Sequence, residues 1–310
     1  MKNKIIRRKF IFYILLLLFL GCTNNKEFVM NNKKPLVLMT DFGLKERFVA
    51  SMKGVALSVD ENIKIYDLTH LIEPFNIWEA SNTLAGTIEY WPKGTVFVAV
   101  VDPGVGTKRK SVVLKTKTGY YIVSPDNGTL TQVAEEQGIE AIREIDEKIN
   151  RRKNSEESHT FHGRDVYVYT GARLAAGVIT FNEVGKLLKP EVVQLKQKQA
   201  EKINDKSIVG KITKVESPFG NIVTNIPKSL FDKLDVKLNK FVNVKIVNDQ
   251  QTILDKDIKY VSSFGFVQKG MPLLYSDSEQ WIGLAVNNGS FAKAYSINSV
   301  NNLKIKLTKQ

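Results

Sequence analysis

The residues with the clearest chemical content lie in "VFVAVVDPGVGTKRK". Six apolar residues, Val96 to Val101, run into Asp102, a Pro-Gly-Val-Gly turn and then Lys108-Arg109-Lys110. A continuous apolar run of this kind reads as a strand buried on both faces. A carboxylate at its end is costly to desolvate unless a cation or hydrogen-bond donors hold it. The basic cluster that follows is the nearest source of such a partner. Two other strand-like runs also finish on acids, "PLVLMTDFG" on Asp41 and "IKIYDLTH" on Asp67. An acid there can hold a substrate hydroxyl or a water, but it is equally a turn former or a helix N-cap, and for Asp67 the two readings stand side by side. "TFHGRD" puts His162 at a helix start, as a reacting group or as a satisfied structural histidine. His70 and His159 read as structural or surface residues. The "GVG" at 104–106 is too short for a phosphate cradle, and no P-loop or dinucleotide fingerprint occurs.

The elements that must position these residues follow from the pattern. The three acid-ended strands alternate with two helical segments, "RFVASMKGVALSV" and "NIWEASNTLAGTIEYW". Continuous apolar strands separated by helices indicate a parallel sheet covered on both faces, with ligands at the carboxyl ends of its strands. "SVVLKT" and "YYIVS" form a hairpin around Lys117-Thr118-Gly119, "SPDNGTL" leads into a polar helix, and 146–159 reads as a charged surface loop. Beyond residue 206 the strands become short and alternating, which predicts a small β-barrel or sandwich. The expected organisation is an α/β domain over 35–190, a linker over 191–206 and an all-β unit over 207–310.

The chain has 310 residues, 43% of them hydrophobic, enough for a large core and two domains. Its formal charge of +13 is partly an address. Lys2, Lys4, Arg7, Arg8 and Lys9 precede the apolar run Phe10–Leu20 and then Gly21-Cys22, the order of a bacterial lipoprotein signal over 1–22. The run is shorter than the roughly 20 residues a membrane span needs. Removing that leader leaves 40 basic and 32 acidic residues, a net charge of +8 without an aromatic-interleaved basic stripe, so nucleic-acid binding has little support. Cys22 is the only cysteine, so a lipidated Cys22 leaves no thiol, disulfide or cysteine-based metal chemistry. Residues 23–34 read as a polar tether. The expected location is the periplasm or the outer face of a bacterial membrane.

"TDFG", "MKG", "DLTH", "GTVFVAVVDPGVGTKR", "SPDNG", "TFHGRD", "SPFGNIVTNI" and "AVNNGS" occur in this order over roughly 35–305. The series closely resembles the S-adenosylmethionine hydroxide adenosyltransferase family, relatives of fluorinating and chlorinating enzymes that attack the same carbon. The resemblance implies an N-terminal α/β domain, a C-terminal β-barrel, and a homotrimer with sites between one subunit's first domain and its neighbour's barrel. It implies an Asp-Arg-His triad at Asp102, Arg109 and His162 that orients one water against the ribose C5′, giving adenosine and methionine. No metal or organic cofactor is implied. Asp41 would accept from the ribose hydroxyls, with Phe75 lying against the sugar. Phe219 and Phe264 would sandwich adenine, and Asn221 with the backbone near Val286 and Asn288 would read its edge. Ser278 and Glu216 would contact the methionine end, Glu216 standing where many relatives have Asp. Phe219 and Phe264 could alternatively be plain barrel core.

Two other functions fit parts of the sequence. One is a halogenase, but halogenating relatives carry tyrosine where this chain has Asp102, and Val105 and Gly163 replace hydroxyl residues of the fluorinating type. An anionic Asp102 would repel a halide. The other is a tethered protein that captures adenosine or S-adenosylmethionine without turnover. The lipoprotein signal favours it, because the substrate is made inside the cell, whereas a complete triad argues for catalysis.

Overall fold

The computed structural model describes residues 33–196, 199–249, 251–300 and 302–310. The leader, Cys22 and most of the tether lie outside the described residues. Strands β1 (Leu36–Thr40), β2 (Ile65–Thr69), β3 (Val96–Val100), β4 (Ser111–Thr116), β5 (Tyr121–Pro125) and β6 (Ile139–Glu144) make one sheet in the order β2-β1-β3-β5-β4-β6. β1 pairs in parallel with β2 and β3, and β3 with β5; only β4 runs against its neighbours. The expected mainly parallel sheet is therefore present.

Period-two side-chain alternation divides the apolar strands between two layers. Leu36, Leu38, Val96, Val98 and Val100 face helices α1 (Phe48–Val59) and, further along the chain, α4 (Val168–Ala175). Val37, Met39, Phe97, Ala99 and Val101 face α2 (Ile77–Ile88) and α3 (Thr131–Gln137). Both faces are covered, so β1 and β3 are buried at every position. Each fully buried Leu, Val or Phe contributes about 1.5–3 kcal/mol. Gly171 lets α4 lie close on the sheet, since a Cβ there would sit 2.5 Å from Val98 Cγ2.

From β1 the chain crosses first to β2 on one side and then to β3 on the other, so the direction of winding reverses between β1 and β3. Open α/β sheets bind ligands at that reversal, outside the carboxyl ends of the strands. Asp41 follows β1 and Asp102 follows β3.

The second unit holds β7 (Glu201–Asn204), β8 (Ser207–Glu216), β9 (Asn221–Pro227), β10 (Phe241–Asn248), β11 (Gln251–Tyr260), β12 (Pro272–Ser276), β13 (Trp281–Val286) and β14 (Leu303–Lys309). The order β14-β10-β11-β12-β13-β9-β8 closes through pairing of β14 with β8, giving a seven-strand barrel with β7 added on β8. The expected all-β unit is this barrel. Alternate residues such as Val242, Val244 and Ile246, or Leu303, Ile305 and Leu307, point inward and fill it.

Two local expectations need correction. The predicted linker holds the strand β7, while residues 139–144, for which no element was expected, form β6. The loop over 146–159 is not wholly a surface feature: Asn150, Arg151 and Ser155 are buried, and Arg151 donates to the carbonyls of Ser155 and Ser158.

Candidate active site

Asp102 emerges from β3 into a turn whose Val105 N–H donates to the Asp102 carbonyl and whose Thr107 N–H donates to Gly104. Gly106, at φ 77°, lets the chain reverse, a conformation that glycine adopts without strain. The reversal brings Arg109 back onto Asp102. Arg109 Nε donates to both carboxylate oxygens at 3.0 Å, and Nη2 donates to Oδ2 at 2.6 Å. Both side chains are nearly buried, with 5% of Asp102 and 11% of Arg109 exposed. Such forked, charge-assisted pairing compensates the desolvation of both ions. Burial, the largest single influence, would lower the Arg109 pKa, but the hydrogen bond to Asp102 and the pull of the surrounding acidic groups together outweigh it and raise the pKa above its ordinary value. Asn127 of "SPDNG" donates to the Val101 carbonyl at 2.9 Å and holds the end of β3 in place.

His162 completes the cluster, with Nδ1 2.8 Å from Arg109 Nη2. A guanidinium only donates, so Nδ1 must be the bare nitrogen and the proton is assigned to Nε2. Burial lowers the His162 pKa, reinforced by Arg109 and Arg151 against the opposing pull of Glu147 and Asp102. The imidazole is thus neutral, and its buried Nε2 has no hydrogen-bond partner among the described residues. The rest of "TFHGRD" fixes it. Asp165 is fully buried, and Arg164 and Arg152 donate to its carboxylate. His159, expected at the surface, is exposed yet stacks edge-on against His162 at 6.0 Å between centroids.

Asp41 lies in the neighbouring turn and accepts from the Phe75 N–H at 2.9 Å. Phe75 has φ 68°, unusual for a bulky residue, and is 71% exposed. Asp67 has a holding role. It accepts from Lys53 of "MKG" at 2.7 Å and pairs with His70 Nε2 at 3.0 Å. The other His70 nitrogen is 2.9 Å from Thr40 Oγ1, and its carbonyl accepts from Gly43. His70 is therefore the buried link tying "DLTH" to "TDFG".

The barrel residues assemble in one groove of about 790 Å³ lined by Glu216, Phe219, Asn221, Phe264, Ser278, Val286 and Asn288. Asn221 Nδ2 donates to Glu216 Oε2 at 3.0 Å. Phe219 is 67% exposed and Phe264 38%, so the reading of both as barrel core does not hold. Tyr275 also lines this groove, its ring 5.1 Å from that of Phe264, and was not among the expected residues. Asp41, Phe75, Asp102, Arg109 and His162 are not in its lining. The expected site residues thus fall into two groups, one in the α/β domain and one in the barrel groove.

A family profile described as the SAM hydroxide adenosyltransferase N-terminal domain matches residues 36–185, and its C-terminal counterpart matches 210–304. The chain belongs to the SAM hydroxide adenosyltransferase family. It is similar to a protein named (R)-S-adenosyl-L-methionine hydrolase from Methanocaldococcus jannaschii, at 34% identity over 87% of this chain and 95% of that one. A fluorinase from Nocardia brasiliensis is 28% identical over 89% of this chain and 98% of its own. Among solved structures, an uncharacterised conserved protein of Thermotoga maritima superposes with TM-score 0.79 at 36% identity, covering 88% of this chain and all of its own. These relatives are matched over nearly their whole length, so the match takes in both the α/β domain and the barrel.

Proposed function

We propose that this member of the family hydrolyses S-adenosyl-L-methionine to adenosine and L-methionine, with water as the nucleophile at the ribose C5′. The observation that carries the reading is the buried Asp102–Arg109–His162 cluster with two polar positions still open. Asp102 Oδ2 takes donors from Arg109 Nε and Nη2, whereas Oδ1 takes only Nε. His162 Nε2–H has no partner among the described residues. A water that donates to Oδ1 and accepts from Nε2–H keeps one lone pair for C5′. As the O–C5′ bond forms, the C5′–S bond breaks, its electron pair neutralises the sulfonium, and the water's proton passes to Asp102 and then to solvent. The sulfonium is already a good leaving group, so alignment and a base suffice. Positioning can supply at most about 7–11 kcal/mol, and a general base contributes about 10²–10⁴-fold.

Substrate binding follows the two half-sites. Asp41 and Phe75 take the ribose, Phe219 and Phe264 the adenine faces, Asn221 with the backbone of Val286 and Asn288 the adenine edge, and Glu216 and Ser278 the methionine end. The two half-sites meet between subunits of a homotrimer. The relatives named fluorinase raise halogenation as a second reading. A carboxylate about 4 Å from a halide would repel it by about 4 kcal/mol at an intermediate dielectric, which favours water.

Cys22 is proposed to be acylated, holding the protein at the membrane. Metabolic labelling with a palmitate analogue tests this: label in the wild type and none in Cys22→Ala is expected, and equal label in both excludes it. The catalytic reading is tested by incubating the soluble 23–310 chain with S-adenosyl-L-methionine and separating the products. Adenosine and methionine in equal amounts are expected; bound, unchanged substrate would establish a capture protein.

A further inference from the structure

Tyr167 and Ser111 join Asp102 and Arg109 in a closed ring of hydrogen bonds. Arg109 Nη1 donates to Ser111 Oγ at 3.0 Å, Ser111 Oγ donates to Tyr167 OH at 3.1 Å, and Tyr167 OH faces Asp102 Oδ2 at 3.5 Å. Arg109 closes the circuit directly onto Asp102. Two donor paths thus run from Arg109 to Asp102, one direct and one through Ser111 and Tyr167, and along the second each bond polarises the next. Tyr167 is fully buried and Ser111 is 5% exposed. Burial pushes the Tyr167 phenol well above its usual range, so it keeps its proton and donates.

The backbone places Tyr167 there by an uncommon route. Gly163–Tyr167 is a π turn in which the Val168 N–H donates to the Gly163 carbonyl, five residues back. Such turns are rare and recur at functional sites. The wider step brings His162 and Tyr167 together, their rings edge to face at 6.5 Å, with the Arg109 guanidinium 5.6 Å from the Tyr167 ring centre.

We infer that Tyr167 and Ser111 are positioning residues of the triad: they load Asp102 Oδ2 and lock the plane of Arg109, which leaves Oδ1 as the oxygen open to water. Neither would touch substrate. Ser111 holds Arg109 Nη1, so the remaining Nη2 is aimed at His162 Nδ1 and the imidazole keeps its proton on Nε2. The charged and titratable groups around this ring are Asp102, Arg109 and His162, with Glu147 and Arg151 acting at longer range. The assignment rests on the hydrolytic reading for its rate effect but not for its structural effect.

Two measurements on the full chain test it. In the first, adenosine formation is followed for Tyr167→Phe, Ser111→Ala and Ser111→Thr. Loss of a hydrogen bond to a charged group predicts a kcat about tenfold lower for Tyr167→Phe and Ser111→Ala, with KM within about twofold. Ser111→Thr keeps a hydroxyl and should recover most of the rate. In the second, nitrogen NMR reads the His162 tautomer, which is assignable because the chain has 3 histidines. The wild type should show a single Nε2–H tautomer, and Ser111→Ala a mixture. Folded variants with wild-type kcat and an unchanged His162 signature would overturn the inference. If Tyr167→Phe does not fold, the Ser111 pair decides: equal rates for alanine and threonine count against it. If the wild type forms no adenosine, the hydrolytic reading fails, and the NMR comparison alone decides the positioning role.

Discussion

Arg109 donates to His162 Nδ1 across 2.8 Å, and this contact fixes which imidazole nitrogen carries the proton. Without it, a buried neutral histidine could present either nitrogen to the site. With it, His162 offers a donor, and in the proposed mechanism the task of accepting a proton falls to Asp102. The arginine therefore acts on both partners, as counter-ion to the carboxylate and as selector of the tautomer.

Asp102→Asn keeps size and hydrogen-bonding capacity but removes the negative charge. Hydrolysis should fall by about 10²-fold or more, the usual worth of a positioned base. Substrate affinity should change much less, because in the proposed reading Asp41 and the barrel groove supply the other contacts. Arg109→Lys keeps the charge and loses the fork, so an intermediate loss is expected. Rate and thermal midpoint measured on one preparation separate this from a turn-forming role, under which Asp102→Asn would lower stability and spare turnover.

The pH dependence of stability has a definite sign at His162. Its folded pKa lies below the ordinary 6.5, with burial as the leading cause. The unfolded chain therefore binds the proton more readily as pH falls below 6.5. The stabilisation from the neutral ring is complete above that value and is lost as pH drops toward the folded pKa. Thermal midpoints of the wild type should fall more steeply between pH 7 and pH 5 than those of His162→Gln. Parallel slopes would contradict this.

If the half-sites meet between subunits, two inactive variants can repair each other. Asp102→Ala damages the α/β half and Asn221→Ala the barrel half. Mixing them under conditions of subunit exchange should restore part of the activity. Confirmed exchange without recovery would place both halves of each site in one chain.

Phe75 gives a test of substrate stacking that separates binding from folding. Its φ of 68° costs about 1–3 kcal/mol in a bulky residue, against roughly 0.5–1 kcal/mol for the added freedom of glycine. Phe75→Gly should therefore be at least as stable as Phe75→Ala, while both raise KM. An alanine variant more stable than the glycine one would exclude a strained Phe75.

The sequence made the α/β core readable because β1 and β3 are covered on both faces and so, Thr40 apart, lack any polar residue until their closing acids. β6 escaped because "IEAIRE" lacks strict apolar/polar alternation, with Ala141 and Ile142 adjacent and Arg143 and Glu144 adjacent, and follows directly on a helix whose surface it resembles. Arg151 escaped for another reason. Its burial depends on backbone carbonyls and Glu147 that only the folded loop brings together. At the site, charged residues could be found from their motifs, whereas Ser111 looks like an ordinary strand opener and Tyr167 like helix core. Their roles depend on a π turn, which leaves no mark in composition or periodicity.

That turn makes the site sensitive to chain length in a way that side-chain substitution does not probe. Five residue steps of a regular α-helix rotate through about 500°, leaving a side chain about 140° from the one five positions before it. Deleting one residue between His162 and Tyr167 would re-phase the segment into ordinary helix. The downstream α4 could shift to preserve its contacts with the sheet, or Tyr167 could stay beside Asp102, but not both. The phase of the helix and the geometry of the triad are thus one property of the chain.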